Sequence, residues 1–389
     1  MLPFTEDKVF LKFLGKTLLE HQIALAQKAG LAEFIIIGSP GNITRLKQIA
    51  AGMKGIKAAF AVQKTPGGIG HALQSARRWL KSPVIVVNPN DLYGVKAYQK
   101  LLEPRLNGAA AALLAYEVKE YFPGGYLVAD KKGYLQNIVE KPAPGREPSN
   151  LVTLLAHRHN DPEKLLDYID RQPAGKDDVY ERALGQLAAA QKVKVVLYRG
   201  NWTAIKYPWH ILDAVRYFLD NAPGHIAPTA KISPKATIEG KVIIAENVKV
   251  LENAVIRGPV YIGENSVIGN HTLVRDYSHL GMECVIGFGS EIKGTYLGNG
   301  CQTHLNYLGD TVAGSRCNFG AGTVTANWRF DEKPVAVIVN GIKIDTGNVK
   351  LGALIGNNVK TGVNVSLMPG VKISPETQVP PGTVVKKDI

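Results

Sequence analysis

From Ile226 onward a branched or long aliphatic residue falls at every sixth position: Ile232, Ile238, Ile244, Val250, Ile256, Ile262, Ile268, Val274, Leu280, Ile286 and Ile292 follow in turn. Glycine, asparagine and small residues fill the gaps. A strand repeats every two residues and a helix every 3.6, so a sustained period of six marks neither an ordinary sheet nor a helix. It predicts a parallel β-helix, in which three short strands make each triangular coil and the aliphatic residues stack inside. The period resumes at Ile355, Leu367, Ile373, Val379 and Val385, with Thr361 as its polar member. Between the blocks the register slips near Gly294, and residues 328–350 leave the repeat. There PVAVIVNGIKIDTG alternates around Asn340-Gly341, which predicts a hairpin arm projecting from the coils.

The first half follows a different rule. Leu18 to Lys28 is amphipathic and ends before Gly30, which predicts a helix. Glu33 to Ile37 and Ile56 to Val62 are apolar enough for strands, Gly70 to Lys81 reads as a second helix, and Pro83 to Asn88 as a buried strand. Alternation of this kind predicts a doubly wound α/β domain with a parallel sheet. Lys141 to Asn150 (KPAPGREPSN) must be a loop. The rule changes at Ala222-Pro223-Gly224, so the expected domains are 1–221 (α/β) and 222–389 (β-helix with its arm near 328–350).

Composition narrows the chemistry. No apolar run is long enough to cross a bilayer and the N-terminus lacks a signal-peptide pattern, so a cytoplasmic protein without membrane contact is expected. Cys284, Cys301 and Cys317 have neither CxxC spacing nor an even count, which points to reduced structural thiols. The net charge of +13 is spread over both halves with no dense basic run. It favours pockets for phosphorylated small molecules over a nucleic-acid groove.

Four segments of the second half carry a family resemblance: THLNYLGD (Thr303 to Asp310), NFGAGTVTANWRFDEK (Asn318 to Lys333), DTGNVKLGALIG (Asp345 to Gly356) and NNVKTGVNVSLMPGVKI (Asn357 to Ile373). In the first half FLGKTLLEHQIALAQKAG, TPGGIGHAL (Thr65 to Leu73), NDLYG (Asn90 to Gly94) and VEKP (Val139 to Pro142) join them. Over nearly its whole length the chain resembles the bifunctional sugar-1-phosphate nucleotidylyltransferase/amino-sugar-1-phosphate acetyltransferases, closest to the archaeal-type members. The resemblance implies a left-handed β-helix, a homotrimer with sites between subunits, and acetyl-coenzyme A as co-substrate. An imidazole exchanges protons near neutral pH and suits the removal of an amine proton; by resemblance His304 is that general base. Arg275, Lys293 and Tyr307 fall where the family holds the sugar phosphate. Asn318 and Asn327 resemble its polar contacts to the amino sugar and acetyl group, and Lys333 its contact to coenzyme A phosphates. A second arm lysine of close relatives is Ala336 here.

For nucleotidylyl transfer the resemblance implies a GxGxR phosphate loop and magnesium. LPFTED (Leu2 to Asp7) matches the segment that follows that loop, so the loop and the first strand are expected to be missing. Gln63, Gly68, Asp91 and Glu140 fall at nucleotide and sugar positions. Asp91 matches the first metal ligand, whereas the second is Ala204, followed by Lys206 at a glycine position. The sugar-contacting NAG tripeptide becomes Thr153, Leu154 and Leu155. These changes raise the expectation of a truncated and degenerate first half that needs magnesium only if it is active. The expected activity is therefore acetyl transfer to glucosamine 1-phosphate or galactosamine 1-phosphate. Two alternatives stay open: a bifunctional enzyme that also makes the nucleotide sugar, of the UDP-N-acetylglucosamine pyrophosphorylase or glucose-1-phosphate thymidylyltransferase type, and a non-catalytic trimeric subunit that binds sugar nucleotides.

Overall fold

The six-residue period closes into coils. In the computed structural model, which describes residues 1–173 and 178–389, each turn of the second half gives one short strand to each of three parallel sheets, eight strands to a sheet. In the first coils every partner is the third member on in the aliphatic series: Ile244 pairs with Ile262 and Ile262 with Leu280, Val250 with Ile268, and Ile256 with Val274. These side chains are buried in one continuous core, each contributing about 1.5–3 kcal/mol. The end coil, with a neighbour on one side only, is the exception: Ile226 is 43% exposed and Ile232 and Ile238 are only partly buried.

At the slip near Gly294 the coil shortens. Ile292 pairs with Leu308, Leu297 with Ala313 and Thr303 with Phe319, a closer spacing along the chain than in the coils before. Across the next turn Ala313 pairs with Ile355, far more than one coil further along, and the excess chain forms the arm. Its strands, Ala336–Val339 and Ile342–Asp345, are antiparallel, and Asn340 (φ 49°) and Gly341 (φ 78°) take the left-handed values of a tight hairpin turn. At its base Trp328 bridges Lys350, whose ammonium lies 4.7 Å from the indole centroid.

Two units emerge by internal contacts, Leu19–Trp202 and a second made of Met1–Leu18 with Thr203–Ile389. The cut therefore falls elsewhere than at the change of period. Residues 12–14 and the helix His210–Asn221 lie with the coils because an aromatic column holds them. Tyr261, His279 and Tyr296, on successive coils, stack at 4.7 and 4.9 Å. Phe13 stacks on Phe218 at 4.9 Å and leans on Tyr296 at 5.7 Å. The Leu14 amide donates to His279 Nε2 at 3.1 Å, and the Tyr296 hydroxyl to the Lys12 carbonyl at 3.2 Å.

The other unit has a mixed sheet. Val193–Tyr198 runs parallel to Ala111–Glu117, but Leu151–His159 is antiparallel to Ala111–Glu117 and to Val84–Val87. The parallel sheet expected from the alternation is thus a mixed one, since apolar periodicity does not specify strand direction. Glu33–Gly38 and Lys57–Val62 form a separate parallel pair. The expected helix over Gly70 to Lys81 stops early, as Gly68–Ser75, and a 3₁₀ turn follows at Arg77–Trp79. Pro162–Asp170 begins as its residues dictate: Asp161 caps the Lys164 amide at 3.0 Å and proline takes the first position.

Candidate active site

The coil geometry brings residues distant in sequence onto one face. Register aligns Arg275 with Lys293 and Gly309, and Glu291 with Tyr307, along the third sheet. Lys293 and Asp310 are joined at 2.9 Å, both largely buried. Asp310 Oδ2 also accepts from Asn327 Nδ2, which in turn reaches the Tyr307 hydroxyl at 3.4 Å. Lys293, Tyr307 and Asn327 thus form one connected group. Arg275 stands one coil away, bonded to Glu291 at 2.9 Å and paired with Asp276.

His304 occupies the corner between the second and third sheets. Its imidazole is exposed and, among the described residues, hydrogen-bonded to none. The backbone beneath it is fixed: buried Asn306 accepts the His304 amide on Oδ1 and donates from Nδ2 to the Gly320 and Thr323 carbonyls at 2.8 and 3.1 Å. Leu305 sits between them at φ 56° and 57% exposed. A bulky residue in that left-handed region costs about 1 kcal/mol, so this corner is strained. Asn318 lies on the second sheet, in register with Gln302. Neither the Asn318 nor the His304 side chain is hydrogen-bonded to the Lys293 group among the described residues.

Lys333 lies exposed on the arm, in the wall of a cavity of about 330 Å³ that Arg329, Lys343, Ala336 and Asp345 also line. Arg329 is held by Asp331 at 2.6 and 2.7 Å. Sequence reasoning gave no role to Asn306, Asp310, Arg329 or Lys343. Asn306 and Asp310 stand inside the THLNYLGD segment, and Asp310 follows Lys293 by nearly one coil, a spacing that could have flagged it.

In the α/β unit Gln63 Nε2 donates to the Gly68 carbonyl at 3.1 Å and lies 3.2 Å from His71 Nδ1, closing the Thr65–Gly68 turn. Asp91 Oδ1 accepts from the Trp202 indole at 3.3 Å, and its carbonyl from Gln22 at 2.6 Å. Glu140 ends the strand Leu135–Glu140 and pairs with Lys141 at 3.3 Å. The register of Leu151–His159 shifts between Thr153 and His157, and Leu154 is fully buried there. Ala204, which falls in the unit of the coils, ends the strand Trp202–Ala204.

Comparisons with known proteins agree with this architecture. The nucleotidyl transferase family model matches residues 2–198, and the bacterial transferase hexapeptide model, of six repeats, matches residues 241–276. A bifunctional sugar-1-phosphate nucleotidylyltransferase/acetyltransferase of Sulfurisphaera tokodaii is 34% identical over all of this chain and 94% of its own length. The bifunctional protein GlmU of Methanococcus maripaludis is 38% identical over all of this chain and 92% of its own. A solved structure, UDP-glucose pyrophosphorylase complexed with UDP-glucose, aligns with a TM-score of 0.47 and 17% identity over 55% of this chain and 91% of that one. Since the nucleotidyl transferase model spans the α/β half from residue 2, the comparisons give no support to the expected truncation and decay. Among the described residues no helix is long and apolar enough to cross a membrane. The chain belongs to the bifunctional sugar-1-phosphate nucleotidylyltransferase/acetyltransferase family, with a nucleotidyltransferase α/β domain followed by a parallel solenoid of hexapeptide repeats.

Proposed function

We propose that the coil half moves the acetyl group of acetyl-coenzyme A to the amine of an amino-sugar 1-phosphate, glucosamine 1-phosphate or galactosamine 1-phosphate. The observation that carries this reading is the Lys293, Tyr307 and Asn327 group, with Arg275 one coil away and His304 at the adjoining corner. Lys293 and Arg275 offer cationic donors and Tyr307 a hydroxyl to a phosphate dianion. His304 takes the proton as the amine nitrogen attacks the thioester carbonyl. Asn318 holds the sugar amine near that carbonyl and Asn327 makes a second polar contact there. A C–N bond forms, the C–S bond breaks, and the coenzyme leaves as its thiol after taking up a proton. Lys333, with Arg329 and Lys343 beside it, meets the coenzyme phosphates. Release of free coenzyme A thiol tests this: it should require both acetyl-coenzyme A and the amino-sugar 1-phosphate, and its absence would refute the reading.

The active form in this proposal is a homotrimer. Support comes from the corner beside His304, where Phe288 and Leu305 stand on adjacent coils at 63% and 57% exposed and, beyond the coil of partly buried Ala321, Val363 continues the line at 50%. An apolar stripe of that kind is a ready contact for a second copy. A fully active monomer by mass measurement in solution would refute it.

For the α/β half the bifunctional reading is the better supported, by the family match and the relatives' names. Gln63, Gly68, Asp91 and Glu140 are its proposed nucleotide and sugar contacts. A second reading, loss of nucleotidylyl transfer, is favoured by buried Leu154 at a sugar-contact position. The residues do not make a convincing magnesium site: Asp91 brings one carboxylate, which the Trp202 indole engages, and no step through the metal is derived. Pyrophosphate release from a nucleoside triphosphate and a sugar 1-phosphate decides between the two readings. Release lost in Asp91→Asn supports the first, and none from the unaltered protein supports the second.

A further inference from the structure

We infer that Asp310 is the positioning residue of the phosphate-binding group, a role that rests on the function proposed above. Its carboxylate is 8% exposed, and a buried carboxylate without partners would be costly. One oxygen, Oδ2, gathers Lys293 Nζ at 2.9 Å together with Asn327 Nδ2. Through Asn327 it also sets the Tyr307 hydroxyl. A flexible ammonium on four methylenes would otherwise sample many positions, and an amide would be free to flip. Engaging one of the three Lys293 donors fixes the direction of the other two, and engaging an Asn327 N–H fixes which edge of that amide faces outward.

The backbone is built around this arrangement. Asp310 itself takes φ 47°, its amide donates to the Lys293 carbonyl at 2.8 Å, and its carbonyl accepts the Gly352 amide at 2.8 Å. On the coil below, Gly294 has φ 57°, and a Cβ there would come within 2.7 Å of Asp310 Oδ1. Only glycine leaves room for the carboxylate. Gly294, which stands where the six-residue period slips, is therefore the residue that makes room for Asp310. Asp276 and Glu291 hold Arg275 in a different way, from more exposed positions. They can yield to a phosphate, whereas Asp310 is walled in.

The test is binding of glucosamine 1-phosphate by calorimetry alongside acetyl-transfer kinetics, on the full chain and on Asp310→Ala, Asp310→Asn and Lys293→Ala. Asp310→Ala should weaken sugar-phosphate binding by about tenfold or more, the loss of hydrogen bonds to a charged group, and leave the KM for acetyl-coenzyme A within about twofold. Asp310→Asn keeps an oxygen able to accept from both partners and should recover most of that loss, which also covers the case in which the alanine variant does not fold. Sugar-phosphate binding unchanged in Asp310→Ala but weakened in Lys293→Ala would overturn the inference. So would an equal loss of acetyl-coenzyme A affinity, or an unaltered protein that binds no sugar phosphate. Binding without acetyl transfer, with the Asp310 effect intact, would refute the proposed reaction while supporting the role of Asp310.

Discussion

Lowering the pH from about 7.5 to about 5 should destabilise the α/β unit through two buried histidines. His157 and His159, 1% and 0% exposed on the strand Leu151–His159, share the Tyr180 hydroxyl at 2.8 and 2.9 Å, and His157 Nε2 lies 2.7 Å from Thr153 Oγ1. His159 Nδ1 has no partner among the described residues. An unpaired acceptor costs less than an unpaired donor here, which assigns the proton of His159 to Nε2, donating to Tyr180, which then donates to His157 Nδ1. Every position in that chain is filled by neutral rings. Burial pushes both imidazoles from 6.5 down to about 3, with the neighbouring His159 adding to the effect on His157. The sign follows: the folded form stays neutral while the unfolded chain takes up protons below 6.5. The stability these groups contribute is thus complete above that value and is lost progressively as pH falls toward about 3. Each should remove roughly 1.4 kcal/mol per pH unit below 6.5, so about 2 kcal/mol each, and about 4 kcal/mol together, at pH ~5. Urea titrations followed by helical ellipticity report on this unit, because the helices from Ile43–Ala51 to Val179–Ala190 lie in it. His159→Phe should halve the slope. A loss under about 1 kcal/mol between those pH values, or imidazoles seen by NMR to titrate near 6.5 in the folded protein, would refute the reasoning.

Two further outcomes are expected. His279→Ala removes a stacked ring and the acceptor of the Leu14 amide, and should cost about 2–4 kcal/mol in denaturation of the coil unit while leaving acetyl transfer unchanged where the variant is folded. Lys333→Ala should raise the KM for acetyl-coenzyme A by about fivefold or more and leave the KM for the sugar phosphate alone; equal KM values would remove Lys333 from the coenzyme site.

The coils were legible because burial inside them repeats at a fixed period: one aliphatic residue per face writes itself into the sequence, as does Asn340-Gly341 for the arm. The attachment of Phe13 and the helix His210–Asn221 to the coils was not. Phe13 lies near the start of the chain, far in sequence from Phe218 and Tyr296, and no local pattern announces a contact between them. Strand direction in the α/β unit escaped for a related reason, since an apolar strand reads alike in either sense. At the candidate site His304 and Lys293 were recognised by motif. Asp310 and Asn306 were not assigned, because their work is done on neighbouring backbone and side chains that only folding brings near. Leu305 violates the preference of left-handed corners for asparagine or glycine, as Asn253 and Asn265 obey it, and that departure at a strained corner was visible only once φ was known.

The acetyl-transfer proposal is tested most directly by measuring free coenzyme A thiol released from acetyl-coenzyme A and glucosamine 1-phosphate by the unaltered protein and by His304→Ala. Turnover by the first, falling by about 10²-fold or more in the second with its assembly and fold intact, is the result expected of a general base at that corner. Undiminished turnover in His304→Ala would contradict the assignment of the base, and no thiol release from the unaltered protein with either amino-sugar phosphate would contradict the proposed reaction itself.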